Sequence, residues 1–300
     1  MSGKPLVLGG TNGEHLAVEI ASAAGYELGS VEVKRFPDDE LYIRVMSEVS
    51  GRDVVYVNSL QRGVNDSLVE TLYTLDTLKD LGARRVVAVI PYMSYARQDS
   101  RFNPGECVSV QVLAKLFRSV SVDHIITVDM HLHRISDPNA LFGAAFHNIT
   151  GVRELAKHFR GARWLERPTV IGPDEEAEQW AKVMAEELGR VGYGVLEKRR
   201  LSPEQVVIEA KGVDVKDKDV VIVDDIISTG GTIVEAVKAL RGLGARRIGV
   251  GVVHAILVGN AYAKLLRLGL EELVATNTVL SPISRISVAP AIVEELRKIL

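Results

Sequence analysis

The phrase LGARR at residues 81–85 occurs again at residues 243–247, each time between a helical pattern and an apolar run. A second pair of matching phrases precedes them, since DVVYVNS at 53–59 parallels DVVIVDD at 219–225. One strand–loop–helix–strand unit is therefore used twice. This predicts two similar domains related by internal duplication, with the change-over near residues 136–150. The expected boundaries are 1–145 and 146–300, with the C-terminal tail able to pack back on the first domain.

Short β-branched runs alternate with amphipathic patterns along the whole chain: LVLGG from residue 6, DVVYV from 53, RVVAVI from 85, HIITVDM from 124, TVIG from 169, DVVIVDD from 219 and RIGVGVVH from 247. Continuous apolar strands separated by helices lie in parallel sheets covered on both faces. The expected class is α/β, each domain a mostly parallel sheet flanked by helices. The two copies differ at the strand end, where Asn58 and Ser59 stand in place of Asp224 and Asp225. Only the second copy keeps adjacent carboxylates there, which leaves the first free for a different ligand.

In the second copy the apolar residues 220–223 lead into Asp224 and Asp225. Ser228, Thr229, Gly230, Gly231 and Thr232 then open the helical pattern TIVEAVKALRGLG. Ligands of open α/β sheets sit at the carboxyl ends of strands, where loop amides and a helix N-terminus can face an anion. Glycines admit a close backbone approach and the hydroxyls add donors, so 228–232 reads as a phosphate cradle without a lysine. The aspartates would repel a phosphate. They suit the 2- and 3-hydroxyls of a sugar, directly or through Mg²⁺. A bare acidic turn before a Ser- or Thr-capped helix explains the STGGT phrase but not two carboxylates after four apolar residues.

Composition removes other classes. A formal charge of −3 with interspersed signs gives no general attraction to nucleic acid or membrane. No apolar run reaches the roughly 18 residues that span a bilayer, and the MSGKPLVLGG start lacks a signal-peptide pattern, so a cytoplasmic location is the expectation. Cys107 is the only cysteine, which excludes intrachain disulfides and disfavours a cysteine zinc cluster. Neither G-x-x-x-x-G-K-[ST] nor G-x-G-x-x-G occurs.

Segment 220–232 resembles the ribose 5-phosphate loop shared by phosphoribosyltransferases and ribose-phosphate pyrophosphokinases, the synthases of 5-phosphoribosyl 1-pyrophosphate (PRPP). Further phrases select the second family. Tyr95-Ala96-Arg97-Gln98-Asp99 is similar to its ATP-contacting motif, implying ATP contacts from Arg97, Gln98 and Asp99. Arg35-Phe36-Pro37-Asp38-Asp39-Glu40 resembles its acidic hairpin, which reaches the ATP of a neighbouring subunit. That likeness assigns Phe36, Asp38, Asp39 and Glu40 to ATP and implies a homo-oligomer of at least a dimer. Val128-Asp129-Met130-His131 resembles the family's VD-x-H phrase, making His131 a Mg²⁺–ATP ligand, and Asp174 matches its second metal aspartate. The basic cluster at 196–203 aligns with its mobile catalytic loop, giving catalytic roles to Lys198 and Arg200, with Arg200 also near ribose 5-phosphate. The resemblance covers residue 6 to the C-terminus. It implies two type I phosphoribosyltransferase-like domains, the first on the ATP side and the second on the ribose 5-phosphate side, with ATP and ribose 5-phosphate as substrates and Mg²⁺ as cofactor. One departure is Glu175-Glu176 where bacterial and animal members carry small glycines, a feature similar to the archaeal branch. Phosphate-activated regulation is therefore not carried over. Two rivals are a phosphoribosyltransferase, which leaves YARQD and VDMH unexplained, and a non-catalytic paralogue, which would interrupt motifs that are intact here.

Overall fold

The computed structural model describes residues 3–132, 134–202 and 205–300, and the side chains of 198–208 lie outside the described residues. The chain divides into two units, residues 1–150 with 288–300, and residues 151–287.

The first unit contains β1 (Leu6–Gly9), α1 (Glu14–Ala24), β2 (Glu27–Leu28), β3 (Val31–Arg35), β4 (Leu41–Val45), β5 (Asp53–Val57), α2 (Val64–Asp80), β6 (Arg85–Ile90), α3 (Ser109–Ser119), β7 (His124–Val128), α4 (Pro138–Phe142) and β8 (Ala145–Ile149). Six strands form a parallel sheet in the order β2-β1-β5-β6-β7-β8, while β3 and β4 make a separate antiparallel hairpin. All five residues of β5 are buried, as a strand covered on both faces requires.

The second unit contains α5 (Val152–Arg160), β9 (Pro168–Gly172), α6 (Glu178–Glu187), β10 (Gly192–Ser202), β11 (Gln205–Lys211), β12 (Asp219–Ile227), α7 (Gly231–Gly242), β13 (Arg247–Ala255), α8 (Ala261–Leu266), β14 (Glu272–Thr276) and β15 (Ser284–Ile286). Its sheet runs β11-β10-β9-β12-β13-β14-β15, parallel except for the β10–β11 pair. The α5 helix buries Val152, Leu155, Ala156 and Phe159, one stripe at helical spacing. The glycines inside β13 have a packing reason: a Cβ at Gly249 would lie 2.5 Å from the Trp164 ring, and one at Gly251 2.7 Å from Phe159. All seven apolar runs read from the sequence are strands, and the class is α/β with mostly parallel sheets.

The duplication is visible in hydrogen bonds. The N–H of Ala83 donates to Leu78 at 3.0 Å, and that of Ala245 to Leu240 at 3.0 Å. Gly82 and Gly244, both left-handed at φ 81° and 87°, give their carbonyls to Gly51 and Asp217. Arg84 and Arg246 donate backbone N–H groups to Arg52 and Lys218, each at 2.8 Å. The repeated arginines also have a shared task. Arg84 grips Asp53 through Nε at 2.9 Å and Nη2 at 2.5 Å, and Arg246 grips Asp219 at 2.8 and 2.6 Å. In the second copy Arg247 joins through Nε at 2.9 Å, and the N–H groups of Glu166 and Arg167 add 2.8 and 3.0 Å bonds to the same carboxylate. Burial opposes the Asp219 charge, but the two guanidiniums and two amides outweigh it and hold its carboxyl well below the usual range. LGARR recurs because it closes the start of a central parallel pair.

The last helix, α9 (Ala289–Ile299), belongs to the first unit, where it packs on α1 and β8. Its Glu295 accepts from His147 Nδ1 at 2.8 Å, and His147 Nε2 lies 3.1 Å from His124 Nδ1. With His147 donating to Glu295, its other nitrogen can accept from His124, so one hydrogen-bonded chain links the two rings to the carboxylate. Burial first, then the charges of His147 and Arg85, push His124 below its ordinary 6.5, against a smaller opposing effect of Asp123. Burial raises Glu295, but Lys298 and His147 outweigh it and the carboxyl ends below 4.5. Both signs agree. Below about 6.5 the unfolded chain takes a proton on His124 that the folded one resists, and below about 4.5 the same holds for Glu295, so folded stability falls with pH. Hydrogen exchange is expected to show α9 amides opening faster at pH 5 than at pH 7.5 relative to the amides of β6, with the contrast reduced in Glu295→Gln. Equal acceleration across the unit would refute this.

Candidate functional site

In the second unit the strand runs further than the sequence suggests. Pairing of β12 with β13 continues to Ile227↔Ala255, so Asp224 and Asp225 lie within the strand and the loop contracts to 228–230. Both aspartates are buried, at 9% and 6% exposure. The Asp225 N–H donates to Asp224 Oδ1 at 3.0 Å. Burial first, then the charges of Asp225 and Asp174, push the Asp224 carboxyl well above its usual range. The following helix is not capped by Ser or Thr. Its N-cap is Gly230, left-handed at φ 75° and ψ 5°, with no side-chain capping bond. A β-carbon is disfavoured at that φ, which accounts for glycine there. Ser228 and Thr229 lie in this loop, while Gly231 and Thr232 open α7.

Asp174 leaves β9 and caps the short turn Glu175–Ala177, accepting from the Ala177 N–H at 3.2 Å. With Glu175, Glu176, Thr232 and Glu235 it lines a cavity of about 520 Å³. A divalent cation suits the carboxylates of this lining, since Mg²⁺ takes one or two carboxylates together with phosphate oxygens. Among the described residues no group of three or more His, Cys, Asp and Glu is arranged to hold a metal by itself.

In the first unit, the equivalent strand end is braced by a neighbouring loop, beside a cavity of about 410 Å³ lined in part by Asn12, Arg62 and Ser67. Asn12, from the loop between β1 and α1, donates its side-chain amide to the Gln61 carbonyl at 2.6 Å and Ser67 Oγ at 2.6 Å. Its backbone N–H donates to Asn58 Oδ1 at 3.0 Å, and Asn58 in turn donates to Thr71 at 3.1 Å. The approach needs Gly13, where a Cβ would fall 2.0 Å from the Val57 carbonyl oxygen. The GGTNG phrase at residues 9–13 was the available signal, and reading the repeats alone passes over it.

The polar loop after β6 carries Arg97 exposed and Gln98 partly buried. The Gln98 side chain hydrogen-bonds to Glu106, whose carboxyl is held below the usual range chiefly by Asn103. Asp99 turns inward: no part of its side chain is exposed, and Arg134 donates to it at 3.0 Å. Beyond β7, Asp129 is left-handed at φ 38° and accepts from Thr150 at 3.2 Å, and the chain then presents a partly buried His131. The turn between β3 and β4 is wholly exposed from 36 to 40, with Phe36 at 51% exposure. Arg35 stiffens it by pairing with Asp39 at 2.8 Å and Asp66 at 2.6 Å. Asp38 and Glu40 share that exposed turn. Lys198 and Arg200 lie on β10, and their side chains are outside the described residues.

Residues 6–120 match the family model for the N-terminal domain of ribose phosphate pyrophosphokinase, and residues 145–264 match that of the phosphoribosyl transferase domain. The ribose-phosphate pyrophosphokinase of Methanopyrus kandleri is 41% identical over 296 residues, covering 98% of this chain and 99% of its own length. The chain belongs to the ribose-phosphate pyrophosphokinase family. Another pyrophosphokinase relative, from Methanothermobacter thermautotrophicus, is 39% identical, covering 97% of this chain and 100% of its own. The crystal structure of phosphoribosylpyrophosphate synthetase from Mycobacterium smegmatis superposes with a TM-score of 0.87 at 27% identity, covering 99% of both chains. Within this pyrophosphokinase family, the resemblance read from YARQD, VDMH and the acidic hairpin is thereby extended to the whole fold.

Proposed function

We propose that the chain transfers the β,γ-diphosphoryl group of ATP to the C1 hydroxyl of ribose 5-phosphate, giving PRPP and AMP. The observation that supports this reading is the buried Asp224–Asp225 pair before a glycine-capped, otherwise uncapped helix, on the copy of the repeat that keeps adjacent carboxylates. The C1 oxygen attacks the β-phosphorus, its proton is lost, and the bond from that phosphorus to the α–β bridging oxygen breaks, so AMP departs with the oxygen. Little covalent work falls to the protein. It must hold two anions in line and meet the charge that develops between them.

Asp224 and Asp225 hold the sugar hydroxyls while Ser228, Thr229, Gly230, Gly231 and Thr232 hold the 5-phosphate. Arg97, Gln98 and Asp99 serve ATP, together with Phe36, Asp38, Asp39 and Glu40 from a neighbouring subunit, so the working form is a homo-oligomer of at least a dimer. His131 and Asp174 are the residues for Mg²⁺, which when bound supplies Lewis-acid charge and a template. Lys198 and Arg200 act in the transition state and exclude water. Neither nucleic acid nor membrane is a partner, and the reaction belongs to the cytoplasm.

Incubating the protein with ATP, Mg²⁺ and ribose 5-phosphate is expected to give AMP only when the sugar is present. AMP without dependence on the sugar, or PRPP turnover with a nucleobase and no AMP, would overturn the reading. Lys198→Ala is expected to lower kcat by about 10²-fold or more with little change in either KM, as for a group acting only in the transition state. A change confined to KM would remove that role.

A further inference from the structure

The loop that opens α7 is held from outside itself. Residues 256–258, which follow the end of β13, turn their backbone N–H groups onto its first two carbonyls. Ile256 and Leu257 both donate to the Ile227 carbonyl, at 3.0 and 3.1 Å, and Val258 donates to the Ser228 carbonyl at 2.9 Å. In a regular ladder successive carbonyls of one strand face opposite neighbours. Here two in succession are drawn to the same side. Each peptide is planar and trans, so a carbonyl and the N–H that follows it point opposite ways. Holding the carbonyls of Ile227 and Ser228 on residues 256–258 therefore aims the N–H groups of Ser228 and Thr229 together, away from β13. Successive N–H groups that face one way make a concavity for an anion.

The turn that does this is strained. Leu257 is left-handed at φ 51°, a region that bulky side chains rarely enter. Its side chain packs on the core of the second unit, which compensates the backbone. Val258 is 53% exposed, so the loop uses its N–H rather than its side chain. The end of β13 is itself locked from the end of β14: the hydroxyls of Thr276 and Thr278 donate to the Val253 carbonyl at 2.7 and 2.9 Å, and His254 Nδ1 lies 2.8 Å from Thr278 Oγ1. The first copy of the repeat has the same turn. Tyr95 and Leu257 each stand 14 residues beyond the leucine of their LGARR phrase, and Tyr95 is left-handed too, at φ 64°. Its hydroxyl donates to Asn65 at the start of α2, so in both copies this turn reaches back to the opening of the preceding helix. A large residue kept at the same rare φ in both halves marks a working part of the repeat.

We propose that Leu257 and Val258 are positioning residues for the sugar phosphate. Leu257 acts through its left-handed backbone and Val258 through its N–H, and together they set the direction of the Ser228 and Thr229 amides. The proposal rests on the reading that residues 228–232 hold ribose 5-phosphate, and adds what shapes that loop.

Steady-state kinetics and calorimetric titration with ribose 5-phosphate, on the full chain, test this. Val258→Pro removes the N–H and is expected to raise KM for ribose 5-phosphate by about tenfold or more, as for the loss of a donor to a charged group, with KM for ATP unchanged. Val258→Ala, which restores the N–H, should return the wild-type KM. At residue 257 the order of two variants separates backbone from packing. Leu257→Gly keeps the left-handed turn and loses the side chain, whereas Leu257→Val keeps most of the side chain and resists the turn. KM for ribose 5-phosphate should stay near wild type in Leu257→Gly and rise about tenfold in Leu257→Val. A residue that only packs gives the reverse order. This pair carries the test if Val258→Pro does not fold. An unchanged ribose 5-phosphate KM in Val258→Pro, an equal rise for ATP, or the reverse order at 257 would each overturn the proposal. If the wild-type protein made no AMP from ATP and ribose 5-phosphate, yet Val258→Pro weakened ribose 5-phosphate in the calorimeter, the positioning would stand and the proposed reaction would fall. If AMP were formed and Val258→Pro bound the sugar phosphate normally, the positioning alone would fall.

Discussion

Asp224→Asn is expected to move activity and stability in opposite directions. In the free protein Asp224 is buried beside Asp225 and feels Asp174, and its carboxyl is pushed up by that burial and those charges. A raised folded pKa means the protonated form is favoured in the fold, so its contribution is fully present below 3.8 and is lost as pH rises through the raised value. The neutral amide removes that loss. The melting temperature at pH 8 should rise, by about 1 kcal/mol of stability, as is common when a strained functional group is relieved. Catalysis should suffer, because a carboxylate accepting a sugar hydroxyl contributes about 1.5–3 kcal/mol, or roughly 10- to 150-fold in kcat/KM for ribose 5-phosphate. Steady-state kinetics and a thermal melt on one preparation measure both. A variant that is both less active and less stable would refute the account of a site strained for binding.

At the other end of the same strand, Asp219→Ala should be the most damaging single change to the second unit. Asp219 is fully buried and receives two N–H groups from each of two arginines and two backbone amides, so its loss leaves six N–H donors short of that acceptor. Removing one partner of a buried pair costs about 3–5 kcal/mol. Arg246 and Arg247 keep water-facing sides and Glu166 at 3.2 and 3.0 Å, which places the expected loss near the lower bound, about 3 kcal/mol or roughly 10 °C in melting temperature. The matching Asp53→Ala in the first unit should cost under half as much, since Asp53 takes its side-chain hydrogen bonds from Arg84, whose side chain is 47% exposed. Equal costs in the two variants would show that the carboxylate clasp is not what distinguishes the copies. Because the Asp219 carboxyl is held so low, its contribution should persist on acidification to well below pH 3.8.

The parallel framework was legible because strands covered on both faces leave little choice but apolar residues, and LVLGG, RVVAVI and DVVIVDD are of that kind. The hairpin β3–β4 and the strand β11 were less so: VEVKR and LYIRV alternate polar and apolar residues on half-exposed strands, and the antiparallel partner sits across a turn. At the sugar loop the residue types were readable while the geometry was not. Asp224 and Asp225 read as following the strand, whereas their neighbours Ile226 and Ile227 continue the ladder to His254 and Ala255. The helix cap is Gly230 at φ 75°, the left-handed backbone that the glycines of the cradle were read as admitting. Contacts of long range left no local trace at all. Asp99 and Arg134 are 35 residues apart, and Asn12 reaches Ser67 across 55, so neither pairing could be inferred from spacing. The repeated LGARR was seen as evidence of duplication, while its chemistry, a guanidinium on Asp53 or Asp219, became readable only when the two strands lay side by side.

The placement of α9 with the first unit sets an order on synthesis. Residues 151–287 leave the ribosome with every strand of their own sheet present, whereas the first 150 residues wait for the final helix to cover α1 and β8. A nascent chain usually completes its domains from the N-terminus onward. Here the unit that emerges first is finished last, so arrest or truncation before residue 288 should leave an unsealed first unit attached to a complete second one. Pulse proteolysis of such a truncated chain would show it as early cleavage between residues 1 and 150 with the later segment protected.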